Sequence, residues 1–567
     1  MTGSQATIEQ LHTDILVVGA GPVGLALAGD LGWRGHQVIL IDKGDGAILQ
    51  PKMDLVGIRT MEFCRRWGIV DLVESSEYDR DYPQDNVYLT TLQGYELGRQ
   101  KMPSMRQEQP PPESPQKRER CPQNMFDPIL RQFAESQSSV KIQFQTEFES
   151  FVETAENVTA LVKDQNTGTH KEIHARFLVG CDGAKSRVRS QLNIEMHGKG
   201  LLSYTTNVIF RCANFNQLHD KSPGYRYMFV GPHGTWATIV AINGKDQWRM
   251  SIIGNAQDKT QFTEEVLRSF AHQALGQVFD MEILSVLPWQ RAELVADKYG
   301  EGRVFICGDS CHLTSPTGGL GMNTGIGDAV DLSWKLSAQL QSWGGPQLLN
   351  SYGIERRPIA IRITRFSTSN LETMKQVPSS PKIAEDSIEG EAVRFRVGEA
   401  MSSGLQKEWF SINMHLGNRY VGSPINMDTE PLDQLQIAQE FNDAVHYQPS
   451  TRVGCRAPHF WVDVGVSTLD YFGQGFVLVS ATPERNQNIE DLAAQMGIPL
   501  KSIHFQSSEV KKLYGKNFVL VRPDGHVAWR GDVLPTDLAG LLKIVSGHGV
   551  GNDTTAVIFD PAIESQS

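Results

Sequence analysis

Short apolar runs that end at a glycine or an acid recur along the chain and set its predicted elements. Ile15-Leu16-Val17-Val18 reads as a buried strand, followed by an Ala/Leu-rich helix from Pro22 and a second strand over 37–41 that closes on Asp42 and Lys43. The pattern returns in Phe177-Leu178-Val179-Gly180 and in Val304-Phe305-Ile306. Beyond the latter, Ile326, Val330 and Trp334 fall four apart and predict one apolar face of a helix. Residues 225–230, 235–240 and 248–253 are rich in aromatic and β-branched types and predict strands of an antiparallel sheet. Past about residue 450 the texture changes to a strand at 475–480, a helix at 488–497, a hairpin at 518–530 and a closing helix at 536–545.

Three of these runs lead into chemistry. Gly19-x-Gly21-Pro22-x-Gly24 follows the first strand: Gly19 suits a tight turn, Gly21 lets the backbone approach a pyrophosphate, and Gly24 lets helix pack on strand. The helix N-terminus offers free N–H donors to phosphate, and Asp42 stands where a carboxylate accepts from ribose hydroxyls. Asp182-Gly183 follows the second run, with Ser186 as N-cap of a short helix; a plain turn is an equal reading there. Gly308-Asp309 follows the third and offers a carboxylate to a ribityl hydroxyl. The glycine-rich stretch from Pro316 through Gly319 to Gly321-Met322-Asn323 then brings main-chain amides and a helix N-terminus against a planar, electron-rich ring. Together the three describe one FAD site.

In this order the segments resemble the FAD-dependent aromatic hydroxylases of the para-hydroxybenzoate hydroxylase and phenol hydroxylase group, the class A flavoprotein monooxygenases, over roughly residues 12–365. The resemblance implies that Asp182 and Gly183 serve both FAD and a transient NADH or NADPH, and that Gly308, Asp309 and Pro316 through Asn323 line the flavin. It places Gln123 against the ribityl chain and Lys52 near the FAD phosphates, where many relatives carry arginine; lysine lacks the bidentate fork. Asp331 replaces a frequent asparagine. By the same resemblance NAD(P)H reduces FAD, dioxygen adds to give a C4a-hydroperoxyflavin, and one oxygen passes to a phenolic ring. The carbonyl of Pro316 bonds substrate or hydroperoxide, and His312 is open to either a site role or a loop-holding one. Residues 521–529 resemble the thioredoxin-like domain of the phenol hydroxylase branch, without CxxC, which implies packing or dimerisation rather than thiol chemistry.

The expected fold is α/β: a Rossmann-type FAD-binding domain (1–75, 121–195, 290–370) interrupted by an antiparallel-sheet substrate domain (76–120, 201–289), a helical or loop connector (371–449), and a thioredoxin-like domain (450–567). Residues 102–120, with Pro110-Pro111-Pro112, predict a mobile surface loop or lid. The sheet supplies the candidate pocket: Met228, Trp236, Ile239 and Met250 as apolar substrate contacts, and Tyr225, Tyr227, His233 and Arg249 as polar ones, with Tyr227, His233 and Pro316 taken as catalytic. Each apolar candidate equally fits a sheet core.

Charge and cysteines narrow the class. The 567 residues carry 53 basic and 65 acidic side chains, net −12, which argues against nucleic acid or an anionic membrane as partner. No run of about twenty apolar residues predicts a membrane span, residues 1–13 lack a hydrophobic signal core, and a cytoplasmic enzyme is expected. The 7 cysteines show no metal-finger spacing and read as reduced and structural; no metal site is expected. A Baeyer–Villiger or epoxidising flavin enzyme, and a flavoprotein that only sequesters an aromatic ligand, are the alternatives; the Trp-x-Trp-x-Ile-Pro segment of flavin halogenases is absent.

Overall fold

The computed structural model describes residues 9–549 apart from 49, 258, 432, 484 and 485, so residues 1–8 and 550–567 of the outermost expected spans lie outside the described residues. Parallel pairing dominates the first sheet. Glu9–Val18 lies between His170–Gly180 and Val38–Ile41, Val38–Ile41 pairs Val140–Gln143, and Val304–Ile306 joins the far side of His170–Gly180. Ile15, Leu16, Val17, Leu40 and Ile306 are fully buried, as unbroken apolar runs require when both sheet faces are covered. The helix Pro22–Trp33 packs between Gln123–Glu135 and Gly321–Leu340.

The chain leaves this sheet along Met196–Arg211 and returns along Glu282–Ala296, an antiparallel pair. Both continue into a second sheet ordered His312–Leu313, Glu282–Ala296, Met196–Arg211, Gln247–Ile253, Gly234–Ala241, Arg226–Gly231, Asn86–Leu89, Glu96–Gln100. Strand alternation gives this sheet two unlike faces. Tyr227, Phe229, Ile239, Trp248 and Met250 pack with Phe210 and Phe215 against the helix Glu264–Leu275. Thr205, Asn207, Arg226, Thr238, Arg249 and Ser251 point the other way.

The expected boundaries at 290 and 370 fall inside Glu282–Ala296 and inside the helix Pro346–Lys375, because single continuous elements serve both sheets. Residues 102–120 are mostly irregular but do not form a free surface loop. Glu119–Arg120 pairs Leu55–Val56, and buried Lys117 donates to Met105 O at 2.6 Å and pairs with buried Glu119. Residues 371–449 do more than connect. Their helices Ile388–Gly404, Gln406–Trp409 and Ile412–Leu416 close one side of the central cavity or pack on the second sheet.

The last unit is a four-stranded sheet, Leu500–His504, Phe476–Ser480, Phe518–Val521, Val527–Gly531, whose first pair is parallel and the others antiparallel. It shares a core with the cofactor side: Trp334, Trp343 and Leu348 pack with Phe476, Leu478 and Trp529. Trp334 thus does not share a face with Ile326 and Val330, which face the first core. Each four-residue step turns about 40° beyond a full revolution, and this helix is covered on nearly every side.

Candidate active site

The glycines of the first motif hold backbone in place. A Cβ on Gly19, at φ +107°, would meet Cys181 O at 2.4 Å, and one on Gly24 would meet Gly19 O at 1.9 Å. A Cβ on Gly21 would meet nothing within 4 Å, so at the mouth of the helix Pro22–Trp33 the backbone is open to a ligand. Asp42 Oδ2 accepts from Ala20 N and Oδ1 from Gly44 N, both at 2.7 Å, which fixes the carboxylate at the end of its strand. Exposed Lys43 follows it.

Asp182 caps its own turn: its carboxylate accepts from Ser186 Oγ at 2.5 Å, Arg187 N at 2.7 Å and Ser310 Oγ at 3.2 Å. Gly183, at φ +80°, has open space where a Cβ would stand, and its N–H donates to Ser310 Oγ at 3.0 Å. Gln123 Oε1 accepts from Lys52 N at 3.0 Å and its Nε2 donates to Asp127 at 3.0 Å. The Asp127 carboxyl is pushed up to about 7 by burial. Lys52 Nζ lies 5.7 Å from the Trp289 ring centre. Asp309 is exposed, yet desolvation by the surrounding protein raises its carboxyl, against the pull of His312 and Lys52. Among the described residues no hydrogen bond engages that carboxylate. Open backbone at Gly21 and Gly183 together with an unengaged carboxylate at Asp309 fits a dinucleotide with a polyol chain.

Asn323 braces the flavin-side loop. Its Oδ1 accepts from Gly57 N and Thr60 Oγ1, both at 2.7 Å, and its Nδ2 donates to Gly319 O at 2.7 Å and Leu55 O at 3.0 Å. Gly318 and Gly319 both take positive φ, Gly321 opens the helix Gly321–Leu340, and Met322 packs on the first core. A Cβ on Gly308, at φ +65°, would crowd Val23 at 3.0 Å. His312 is buried, with Nε2 2.8 Å from Asp328, which also takes Arg356 Nε at 2.7 Å; it holds the loop.

Pro316 is exposed and lines a cavity of about 500 Å³ between this loop and the second sheet. Its carbonyl accepts from Gly319 N at 3.1 Å. Of the other sheet candidates, Tyr225 and Arg249 also reach the cavity. Tyr227, Ile239 and Met250 lie in the core behind the sheet, one alternation away from the lining residues, and Trp236, which shares the parity of Thr238, packs on that same core because a bulge between Thr235 and Ala237 breaks the alternation. Tyr227 accepts from Gly224 N at 2.9 Å, and burial raises its hydroxyl to about 12. Met228 has the right parity but is covered by Leu371, Met374, Val397 and Met401. His233 is exposed at the hairpin turn between Arg226–Gly231 and Gly234–Ala241, outside the cavity lining.

The cavity instead presents polar groups that the apolar-contact reading passed over. Asp54 accepts from Tyr225 Oη at 2.5 Å, Arg120 Nη1 at 3.0 Å and Arg249 Nη2 at 3.3 Å. Burial works to raise its carboxyl, but Arg120 and Arg249 overrule it and hold it below the usual range. Glu408 Oε1 accepts from both Gly318 N and Arg226 Nη1 at 3.0 Å, while Oε2 is buried without a partner. Buried Arg291, Trp289 and neutral His415, lowered to about 4 by burial, complete the wall. One signal could have found several of them. Arg226, Thr238, Arg249, Ser251 and Asn207 share one parity across paired strands, a polar stripe in an apolar sheet.

Among the described residues no cluster of His, Cys, Asp and Glu is set to hold a metal, and no helix is long and apolar enough to cross a membrane.

A family described as FAD binding domain matches residues 12–367, and one described as aromatic-ring hydroxylase, C-terminal, matches 450–548. The 2,4-dichlorophenol 6-monooxygenase of Delftia acidovorans is 30% identical over 601 aligned positions, covering 95% of this chain and 99% of that protein. The rebeccamycin biosynthetic enzyme RebC with reduced flavin superposes with a TM-score of 0.87 at 34% identity, covering 95% of this chain and 99% of that one. The flavin-dependent monooxygenase PieE, in complex with FAD and substrate, gives 0.81 at 26% identity over 94% of this chain and 98% of its own.

Proposed function

The chain belongs to the FAD-dependent aromatic-ring hydroxylases and is a flavoprotein monooxygenase; from that premise we propose that it hydroxylates a phenolic ring held in the cavity between the Pro316–Gly319 loop and the second sheet, with NADH or NADPH as reductant. The first sheet is then a Rossmann-type FAD fold, and the last unit a thioredoxin-like domain that packs rather than reacts. Residues up to 75, 121–195 and 290–370 form the cofactor domain, and 76–120 with 201–289 the substrate sheet.

When bound, FAD would pass two electrons from NAD(P)H to dioxygen, so that one oxygen atom of O2 goes to the ring and the other leaves as water. The backbone at Gly21 and the N-terminus of Pro22–Trp33 would hold its pyrophosphate, and Asp309 would accept from its ribityl hydroxyls. Asn323 anchors the Pro316–Gly319 loop through Gly319 O and Leu55 O, which holds Pro316 on the cavity wall.

The observation that carries the phenol reading is Asp54. It is a carboxylate kept ionised by two guanidiniums, hydrogen-bonded to the Tyr225 hydroxyl, on the cavity wall. The group polarises a phenol directly or through Tyr225, drawing the hydroxyl proton toward Asp54 and enriching the ring for electrophilic attack. The cavity's apolar parts, Leu287, Trp289, Phe410 and Ile412, shield the reacting ring from water.

The test is Asp54→Asn in FAD-loaded enzyme. Product formation from a turned-over phenol should fall by roughly 10²-fold, with flavin content unchanged and oxygen consumption diverted to hydrogen peroxide. Undiminished hydroxylation in that variant, or product oxygen derived from water in the parent enzyme, would overturn the reading.

A further inference from the structure

The helix Ile58–Trp67 carries Arg59, Glu62, Phe63 and Arg66 at spacings of three and four, so one face presents all of them. That face does not line the central cavity. It meets Leu469, Phe472 and Gly525 of the C-terminal unit across a crevice of about 170 Å³, with Trp33 as a further wall. Arg66 runs along this seam. Its Nε lies 3.4 Å from where a Cβ on Gly473 would stand, and its Nη2 lies 3.7 Å from where one on Gly525 would stand.

The donors there are not filled by the protein. Arg66 Nη1 is buried without a hydrogen-bond partner, and among the described residues no carboxylate forms a salt bridge with Arg66. Arg34, 8% exposed, shares the seam: it donates from Nε to Asp30 at 2.8 Å and from Nη1 to Gly473 O at 2.9 Å, while its Nη2 is likewise buried without a partner. The neighbouring acids are all engaged. Asp30 serves Arg34, Trp67 and Ser333; Glu62 serves Arg456 and Arg59; Asp470 serves Arg65; Asp524 serves Arg522 and His526. Burial lowers the Arg66 guanidinium to about 10; Asp30 and Asp524 oppose that from beyond salt-bridge distance, and Arg59 and Arg34 reinforce it. Arg66 therefore stays charged at neutral pH. The distant acids offset part of its charge but accept from none of its N–H groups, and a buried donor left unpaired is unfavourable.

We propose that this seam is an oxyanion site, in which a tetrahedral phosphate-type anion accepts from the open edge of Arg66 and from Arg59, and ties the helix Ile58–Trp67 to the C-terminal unit. The planar fork of arginine suits phosphate oxygens, and Arg59 keeps spare N–H groups after its bonds to Glu62 and Asp524 O. The crevice is roomy enough for a phosphate group but smaller than the roughly 300 Å³ at which pockets for whole small molecules begin. The anion is thus inorganic phosphate, or the phosphate of a nucleotide whose base lies outside. None of the crevice residues lines the central cavity, so the site is separate from the flavin and from the ring to be hydroxylated.

The experiment follows the melting midpoint of FAD-loaded full-length enzyme as inorganic phosphate replaces chloride at constant ionic strength, with AMP as a second probe. An anion bound only by the folded, docked form stabilises it by mass action, so phosphate should raise the midpoint saturably. In Arg66→Met the half-saturating phosphate concentration should rise by about tenfold, the scale of one charge-assisted hydrogen bond, and Arg66→Lys should recover part of that loss. AMP acting at lower concentration than phosphate, through Arg66, upholds the site with a nucleotide as its source; AMP acting no better upholds it with free phosphate. No saturable rise over chloride in the parent, or an equal rise in Arg66→Met, overturns the site. Should Arg66→Met fail to fold, crystals of the parent enzyme soaked in selenate decide: anomalous density against Arg66 upholds the site, and density only elsewhere overturns it.

Discussion

Arg522 of the C-terminal unit grips Glu355 of the helix Pro346–Lys375 with both arms, Nη1 at 2.5 Å from Oε1 and Nη2 at 2.8 Å from Oε2. Arg522 Nη2 also reaches Asp331 at 3.1 Å and Asp524 at 2.7 Å, and Lys335 pairs with Asp331 and Glu355 at 2.8 and 2.6 Å. All of these side chains are buried.

Arg522→Met therefore leaves three buried acids, Asp331, Glu355 and Asp524, with a single lysine that reaches only the first two. Stability should fall by about 3–5 kcal/mol, read as a lower midpoint in chemical denaturation. For the same reason a chain cut at about residue 450 should aggregate or lose flavin, although no candidate cofactor residue lies beyond that point. A soluble, flavin-retaining truncation would remove this account of the interface.

Glu62 is a second tether, paired with Arg456 and with Arg59, and it accepts from Ser114. Burial alone would raise its carboxyl; Arg456 and Arg59 outweigh that and lower it from 4.5 to about 2. A depressed carboxyl binds fewer protons in the folded state. Its stabilisation is complete above about pH 4.5 and is lost as pH falls toward 2. Between those values Glu62→Gln should show a shallower acid decline than the parent; parallel curves would contradict the assignment.

Two glycines of one motif should behave oppositely. Gly24→Ala drives a methyl to 1.9 Å from Gly19 O and should destabilise the apo fold by more than about 1 kcal/mol. Gly21→Ala meets no protein atom and should fold normally while binding FAD weakly. A thermal melt and a flavin titration on each variant separate the two; normal FAD affinity in Gly21→Ala would remove its phosphate role.

The sheet faces can be tested by a neighbouring pair. Ile239→Ala empties a packed site behind the sheet and should cost about 2–5 kcal/mol without moving the KM for substrate. Thr238→Val, on the cavity side, should leave stability nearly unchanged and shift that KM. The reverse pattern would flip the faces.

The glycine-bearing turns were readable in sequence because Gly19 and Gly308 need positive φ and Gly24 allows no side chain, constraints that leave a residue-type signature. The cavity wall was not. In 235–240 both parities are mostly apolar or small, so alternation could not say whether Thr238 or Ile239 faced the ligand. Tertiary covering also hid Met228 under a helix. Glu408 sits in a four-residue helix, too short for periodicity, and Asp54 acts through Arg120 and Arg249, which are far from it in sequence.

One oxygen of Glu408 joins the loop at Gly318 to the sheet at Arg226. For anyone building chimeras, that shared acceptor fixes the smallest transplantable module. Exchanging the second sheet alone with a relative's would import a foreign partner for a carboxylate anchored elsewhere and unsettle the Gly318 turn. A graft that carries residues 405–416 together with the sheet would preserve the three-way joint and move selectivity as a unit.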